Sequence, residues 1–378
     1  MAYDPKELKL VGVDFSEPFD MKTFSGSSYH IWSKLKEKRV LVDSFSPYPP
    51  ANIVRFFKLL SFNPDIQRWK ANWHASVIFR KYISSRARKR IMLFARNSIN
   101  ASLQIGAYYN ISSCIVGPKG LIADNNCVIA QNTNINFKSS GNWFRRLYDW
   151  EKQVYRSVDQ IFCFSKFLAN SFINDFGLPE SKVSVIYAGI NLDENKITVP
   201  NKSYNSKTVL FSGFDFKNKG GEVLLRAFDI VTKAVPEARL ILTGPNINNL
   251  PDYVTNLGPL SKTNPQDLEK LYNSYKEASI FTLPTLADAF PNVIREAMAA
   301  KLPCVASDTG SMSEMIVDGK TGYIIPIGDA DALANRLISL LTDENLCKIM
   351  GTAGYERQKQ LFSWDAVCER IISKMSVK

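Results

Sequence analysis

Pro284-Thr285-Leu286-Ala287-Asp288-Ala289-Phe290-Pro291-Asn292-Val293-Ile294-Arg295-Glu296-Ala297-Met298-Ala299-Ala300 is the stretch that decides the fold. It follows an apolar run over 279–283 and reads as a strand end, a tight loop and a helix over 292–300. In an open parallel sheet, ligands bind beyond the carboxyl ends of the strands. The free N–H groups of Asn292 and Val293 are expected to face that crevice, where a helix N-terminus carries roughly half a positive charge and suits a phosphate. Asp288 lies in the loop and Glu296 one turn into the helix. The two carboxylates therefore stand at two distances from one phosphate site, suited to ribose and sugar hydroxyls. The same residues also suit a plain capped helix with a solvated Asp and Glu.

Outward from this segment, strands and helices alternate. Strands are expected at 209–211, 239–242, 303–307 and 323–325. Helices are expected at 221–234, 266–275 and 312–316, with Asp329 capping another over 330–341 and a last one near 364–375. The first half starts with a strand at 8–13, the loop Ser25-Gly26-Ser27-Ser28, a helix at 29–36 and a strand at 40–43. Residues 50–100 read as helical and basic, without a clean strand. Strands follow at 114–116, 120–123, 160–164 and 183–187, with an amphipathic helix over 143–158 and Ser165 capping a helix over 166–174. The order is that of parallel α/β sheets. The polar stretch 191–207 has linker composition, which places one domain at 1–196 and a second at 205–358.

With its neighbours, the opening segment resembles the Glu-x7-Glu signature of the retaining GT-B glycosyltransferases of glycosyltransferase family 4 (glycosyl transferases group 1). Asp288 takes the first acidic position and Glu296 the second. The stretches 303–314 and Asp318-Gly319-Lys320-Thr321-Gly322-Tyr323 are similar to the elements that follow the signature. Phe211-Ser212-Gly213-Phe214-Asp215-Phe216-Lys217-Asn218-Lys219-Gly220-Gly221 resembles the family's Gly-Arg…Lys-Gly loop, with Lys219 as the Lys.

The resemblance implies an α/β GT-B fold: two Rossmann-like domains whose parallel sheets face an interdomain cleft, the C-terminal one holding the nucleotide sugar. It also implies that the helix over 359–378 crosses back to the N-domain. Glu296 is then expected on the ribose and Asp288 on the sugar, with Lys219 on the leaving diphosphate. Gly213, Phe290, Asn292 and Val293 complete the donor contacts. Phe214 stands where the family carries its diphosphate Arg, leaving Lys217 or Arg295 as replacements, and Pro291 replaces a glycine. In the N-domain, 23–30 resembles the family's glycine loop, with Gly26 letting the backbone approach donor or acceptor. Asp124, in Ile122-Ala123-Asp124-Asn125, matches the place where many members carry a His. It is expected either to join Asp288 and Lys219 in catalysis or to cap a turn.

Composition bounds the rest. A chain of 378 residues with 45% hydrophobic and 22% charged residues fits two soluble domains. Six scattered cysteines and two histidines leave no metal motif and point to a reducing compartment. No signal peptide or membrane span is read, so a cytoplasmic protein is expected, one that can sit peripherally on the membrane's cytoplasmic face. The net charge is +11, and 66–123 contains no acid. Basic residues interleaved with aromatics over 68–96 suit an anionic membrane surface or acceptor, or form a solvated face. Nucleic acid is disfavoured, because none of its motifs is present.

The expected activity is transfer of a sugar from a UDP- or GDP-linked donor to a glycan or lipid-linked glycan, with no cofactor and no obligatory metal. Such a reaction belongs to cell-surface polysaccharide or glycolipid synthesis. The alternatives are another GT-B activity, a sugar-nucleotide epimerase or a phosphorylase, and a non-catalytic scaffold. Dinucleotide and P-loop fingerprints are absent.

Overall fold

The computed structural model describes residues 8–20, 26–94, 99–114, 117–133 and 142–376. Part of the expected glycine loop (23–25), Arg96 of the basic stretch and two residues of the strand expected at 114–116 fall outside them. The chain divides into two units, Met1–Tyr187 with Trp364–Lys378, and Ala188–Ser363.

The first unit contains β1 (Leu10–Val13), β2 (Leu41–Phe45), β3 (Ala101–Ile105), β4 (Lys119–Ala123), β5 (Gln160–Cys163) and β6 (Val183–Val185). They form one parallel sheet in the order β2-β1-β3-β4-β5-β6. The chain runs outward from β1 in one direction and from β3 in the other, so the topological switch lies between these two strands. The closing helix Trp364–Ser376 belongs to this unit. Lys34 pairs with Asp365 at 3.2 Å, and Arg370 Nη1 donates to the Ile186 carbonyl at 2.8 Å.

The second unit contains β7 (Thr208–Ser212), β8 (Arg239–Thr243), β9 (Val254–Asn256), β10 (Ile280–Leu283), β11 (Cys304–Ser307) and β12 (Gly322–Ile325). Their order is β12-β11-β10-β7-β8-β9, all parallel, with the switch between β7 and β10. β10 and β11 are buried along their whole length. That accounts for their largely apolar sequences, broken only by the buried Thr282 and Ser307, since helices cover both faces of such a sheet.

The helices Lys166–Asn174 and Gly221–Ala234 span the residues expected, and Ser165 and Asp329 cap their helices through side-chain oxygens. Three readings need correction. The third strand of the first sheet is Ala101–Ile105, directly after the segment read as helical, while Cys114 lies in a bend and not in a strand. Ser102 and Gln104 disguise that strand. Gln104 is fully buried and spends its amide on the carbonyls of Gly106 (2.8 Å) and Tyr109 (3.0 Å). Composition also gave no sign of β9 or of the long helix Glu344–Leu361. Finally, the polar stretch 191–207 lies wholly within the second unit, which begins at Ala188. It holds a short helix, Glu194–Ile197, and Tyr204 is buried with its hydroxyl on the Lys301 carbonyl at 2.8 Å.

No helix among the described residues is long and apolar enough to cross a membrane.

Candidate functional site

In the second unit, the loops after β7 and β10 leave the sheet on either side of the switch and interlock. Asp215 starts a turn that accepts the Asn218 N–H at 3.1 Å and, through its carbonyl, the Lys219 N–H at 2.8 Å. The Asn218 carbonyl in turn accepts the Leu286 N–H at 2.8 Å and the Thr285 hydroxyl at 3.0 Å. Backbone groups thus fix each loop against the other. The result is that Lys219 Nζ donates to Asp288 Oδ2. Both side chains are partly open to solvent, so this ion pair adds little to stability. Its meaning lies in its position: a cation held at the carboxyl ends of the two switch strands, beside the N-termini of the helices Gly221–Ala234 and Asn292–Ala299.

Asp288 is itself held. Its other carboxylate oxygen accepts the Phe290 N–H at 3.2 Å, and Ser311 donates to the Ala289 carbonyl. Gly310, at φ +57°, lies so close that a Cβ there would fall 1.9 Å from the Asp288 carbonyl oxygen. Glu296 is buried, accepting from Lys262 at Oε1 and from the Tyr275 hydroxyl at Oε2 (3.2 Å). The ammonium of Lys262 reaches it from a loop that is itself only partly buried.

The structure brings Asp288, Lys219, Phe290, Asn292 and Val293 into one neighbourhood, with Gly213 at the end of β7, its N–H on the Thr243 carbonyl at 2.9 Å. It gives Arg295 other partners. That guanidinium is fully buried and donates to the carbonyls of Gly189 (3.2 Å) and Pro291 (3.4 Å) and to Asn292 Oδ1, stacked 4.4 Å from the Phe290 ring centroid. Burial pushes its pKa down to about 9, with the charges of Glu296 and Asp288 opposing the fall. It stays charged at neutral pH and braces the Phe290–Asn292 turn instead of facing an open crevice. Lys217 is exposed and Phe214 is 73% exposed.

The first unit has its own concavity, about 570 Å³, at the carboxyl ends of β1, β3 and β4. Asp14, Arg80, Tyr108, Asp124, Cys127 and Glu151 line it. Asp124 follows β4 directly and is the exposed carboxylate of the lining, with Tyr108 exposed beside it. Its carboxylate accepts backbone hydrogen bonds in its own turn, from Asn125 among them, while Asn126 Oδ1 accepts the Ile129 N–H at 2.9 Å at the start of the helix that follows. Crowding on the pocket side raises the Asp124 carboxyl to about 6, although its outer face still meets water. Glu151 is raised by burial and accepts the Cys127 N–H (3.0 Å) and the Tyr155 hydroxyl (3.2 Å). Arg80 donates to the Ala107 carbonyl at 3.1 Å and lies 5.2 Å from the Tyr108 ring centroid. Gly26 begins the helix Ser27–Glu37 at φ +89° and does not line this pocket.

Lys262, Tyr275 and Ser311 in one unit, and Arg80 and Glu151 in the other, escaped the sequence reading. Each sits on a helix or loop distant in sequence from the motif it serves, and no local spacing marks it. Arg80 was counted only as one more charge in a basic run.

Residues 193–357 match the family described as "Glycosyl transferases group 1", and residues 124–194 match "Glycosyltransferase Family 4". The capsular polysaccharide biosynthesis glycosyltransferase CapM of Staphylococcus aureus is 26% identical over 242 residues, 60% of this chain and 64% of that protein. The phosphatidyl-myo-inositol mannosyltransferase of Mycobacterium leprae is 30% identical over 196 residues, 49% of this chain and 50% of that protein. The chain thus aligns over half to just under two thirds of the length of these relatives. Among solved structures, the sucrose-phosphate synthase of Thermosynechococcus elongatus superposes with a TM-score of 0.67 at 15% identity, covering 96% of this chain and 97% of that one. Anabaena HepE in complex with UDP superposes at 0.62 and 15%, covering 96% and 98%. These superpositions establish the GT-B fold, with its two Rossmann-like α/β units.

Proposed function

Over residues 124–357 this chain belongs to the glycosyltransferases of group 1 and family 4, and we propose that it moves a hexose from a nucleotide-sugar donor to a glycan or lipid-linked glycan. The Lys219–Asp288 pair at the β7/β10 switch is the observation that carries this reading. A departing nucleoside diphosphate develops charge, and a cation fixed beforehand in a partly enclosed site stabilises that charge with little reorganisation. Lys219 supplies the cation. Asp288 holds the ammonium in place and lends its free lone pairs to the sugar hydroxyls. Asn292 and Val293 present backbone N–H groups, while Glu296, together with Lys262, serves the ribose.

The first unit takes the acceptor. Its pocket is large enough for one or two sugar rings, and Asp124 is the open carboxylate able to accept a hydrogen bond from the attacking hydroxyl. Leaving group and nucleophile share one face of the sugar, the leaving phosphate takes the acceptor proton, and the anomeric configuration is retained without an obligatory metal ion. A structure of HepE with UDP-glucose supports a UDP-linked donor over a GDP-linked one. Relatives named for capsular polysaccharide and for phosphatidyl-myo-inositol support a cell-surface polysaccharide or glycolipid product.

One observation favours a second reading. The exposed Phe214 stands where the family's diphosphate Arg is expected, which is compatible with a chain that binds donor without turning it over.

The test is incubation of the protein with UDP- and GDP-sugars, with and without a membrane extract as acceptor, followed by NMR of the product. The expected result is transfer only with acceptor present, an anomeric centre matching the donor, and no loss in excess chelator. Donor conversion without acceptor would point to an epimerase, and an inverted product would overturn the mechanism.

A further inference from the structure

The helix Ala51–Leu60 is more apolar than its packing requires. At about 100° per residue, Leu59, Phe56, Leu60, Ile53, Phe57 and Val54 follow one another around roughly 220° of its circumference, interrupted by Asn52, where a surface helix typically carries an apolar stripe of about 100°. Only one end of this arc is used. Val54 and Phe57 are buried, with Phe57 against Phe79 and Tyr82 at ring distances of 5.3 and 5.0 Å. The other end is open: Phe56, Leu59 and Leu60, and Phe62 and Ile66 just beyond, are each 57–66% exposed. This face is not a frayed end. Trp69 Nε1 donates to the Lys58 carbonyl at 2.8 Å, Phe62 packs edge-on to Trp69 at 5.7 Å, and Lys58 Nζ sits 5.6 Å from the Trp73 ring.

Charge says what covers it. Residues 51–94 hold ten Lys or Arg and one acid, Asp65. Arg55 and Lys58 occupy the remaining arc of the helix itself. On the helix Val77–Phe94, the side chains of Arg86, Lys89 and Arg90 ring a shallow hollow of about 260 Å³ that ends at the exposed Leu93. Arg86 is held there by the Pro47 carbonyl at 3.0 Å and Arg90 by the Phe45 ring at 4.7 Å. A soluble protein partner would need a strongly acidic surface around an apolar centre, and a nucleic acid would leave Leu59 and Leu60 without apolar cover. An anionic bilayer matches both demands, because acyl chains receive the Phe and Leu side chains while phosphates receive the basic ones.

We propose that Ala51–Leu60 and the turn after it are an interfacial anchor. Phe56, Leu59, Leu60 and Phe62 dip below the headgroups of an anionic membrane, and the Arg86-Lys89-Arg90 hollow seats a lipid phosphate. Contact is thereby centred on 51–66, upstream of the basic run that charge alone pointed to. The inference goes beyond the transfer reading and holds whatever the two units catalyse.

The experiment is co-sedimentation of the full chain with vesicles of phosphatidylcholine alone or with one third phosphatidylglycerol, no donor or acceptor being present. Two variants are compared, Phe56→Ser/Leu59→Ser/Leu60→Ser and Arg86→Gln/Lys89→Gln/Arg90→Gln. The wild type should bind the anionic vesicles, and each variant should bind them roughly tenfold or more weakly. The wild type should keep part of its binding in high salt, and the triple Ser variant should keep none. Circular dichroism and melting of the Ser variant should match wild type, because the replaced side chains are exposed. Three results overturn the proposal: no binding by wild type, equal binding by a folded Ser variant, or a wild-type dimer in solution that the Ser variant abolishes.

Discussion

Lys219 and Asp288 stand as an ion pair, while Glu296 and Arg295 are both buried and differ in what they can offer. Glu296 keeps lone pairs beyond those used by Lys262 and Tyr275, whereas every contact seen for Arg295 is to its own turn and to Gly189. Glu296→Gln should therefore weaken donor binding by about tenfold, or roughly 1.4 kcal/mol, read by titration calorimetry. Asp124 gives a pH signature. Its folded pKa of about 6 lies above the ordinary carboxylate value, so the fold favours the neutral acid. Any stability it contributes is complete below the ordinary range and is lost as pH rises through 6. A hydrogen bond accepted from an acceptor hydroxyl is strongest in the ionised form. The pH profile of kcat/KM should consequently show an acid limb near 6 that Asp124→Asn removes. A limb unchanged in that variant would take Asp124 out of the reaction.

At the scale of elements, the two loops of the second unit are built to tight tolerance. Gly310→Ala would place a methyl against the Asp288 carbonyl at a positive φ, costing about 1–3 kcal/mol and displacing Asp288. Gly328 also has positive φ but faces open space, so Gly328→Ala should cost less and leave turnover intact. Melting curves and donor turnover of the two variants separate these effects. The same loops were legible in the sequence because strand, turn and helix follow one another within 284–300. The strand Ala101–Ile105 was not legible, because its buried Gln104 is satisfied by carbonyls that only the folded chain brings near. The open apolar arc of Ala51–Leu60 was equally hidden. Periodicity says that a helix is amphipathic, not how much of its apolar face finds a neighbour.

Over the whole molecule, each of the two units offers a candidate site at the switch point of its own sheet, one around Lys219 and Asp288 and the other around Asp124. The alternation of strands and helices made the fold class readable. The motif between β10 and β11 made the candidate site of the second unit readable, since its residues are contiguous. The pocket of the first unit gathers residues from 14 to 155, so no single stretch of sequence announces it. The account turns on Lys219 as the cation that meets the leaving diphosphate. The direct measurement is the rate of nucleoside diphosphate release by wild type and by Lys219→Ala, with the preferred sugar nucleotide and an acceptor extract. A fall of about 10²–10³-fold with folding intact is predicted. Equal trace rates in the two proteins would contradict it and leave a binding scaffold as the better description.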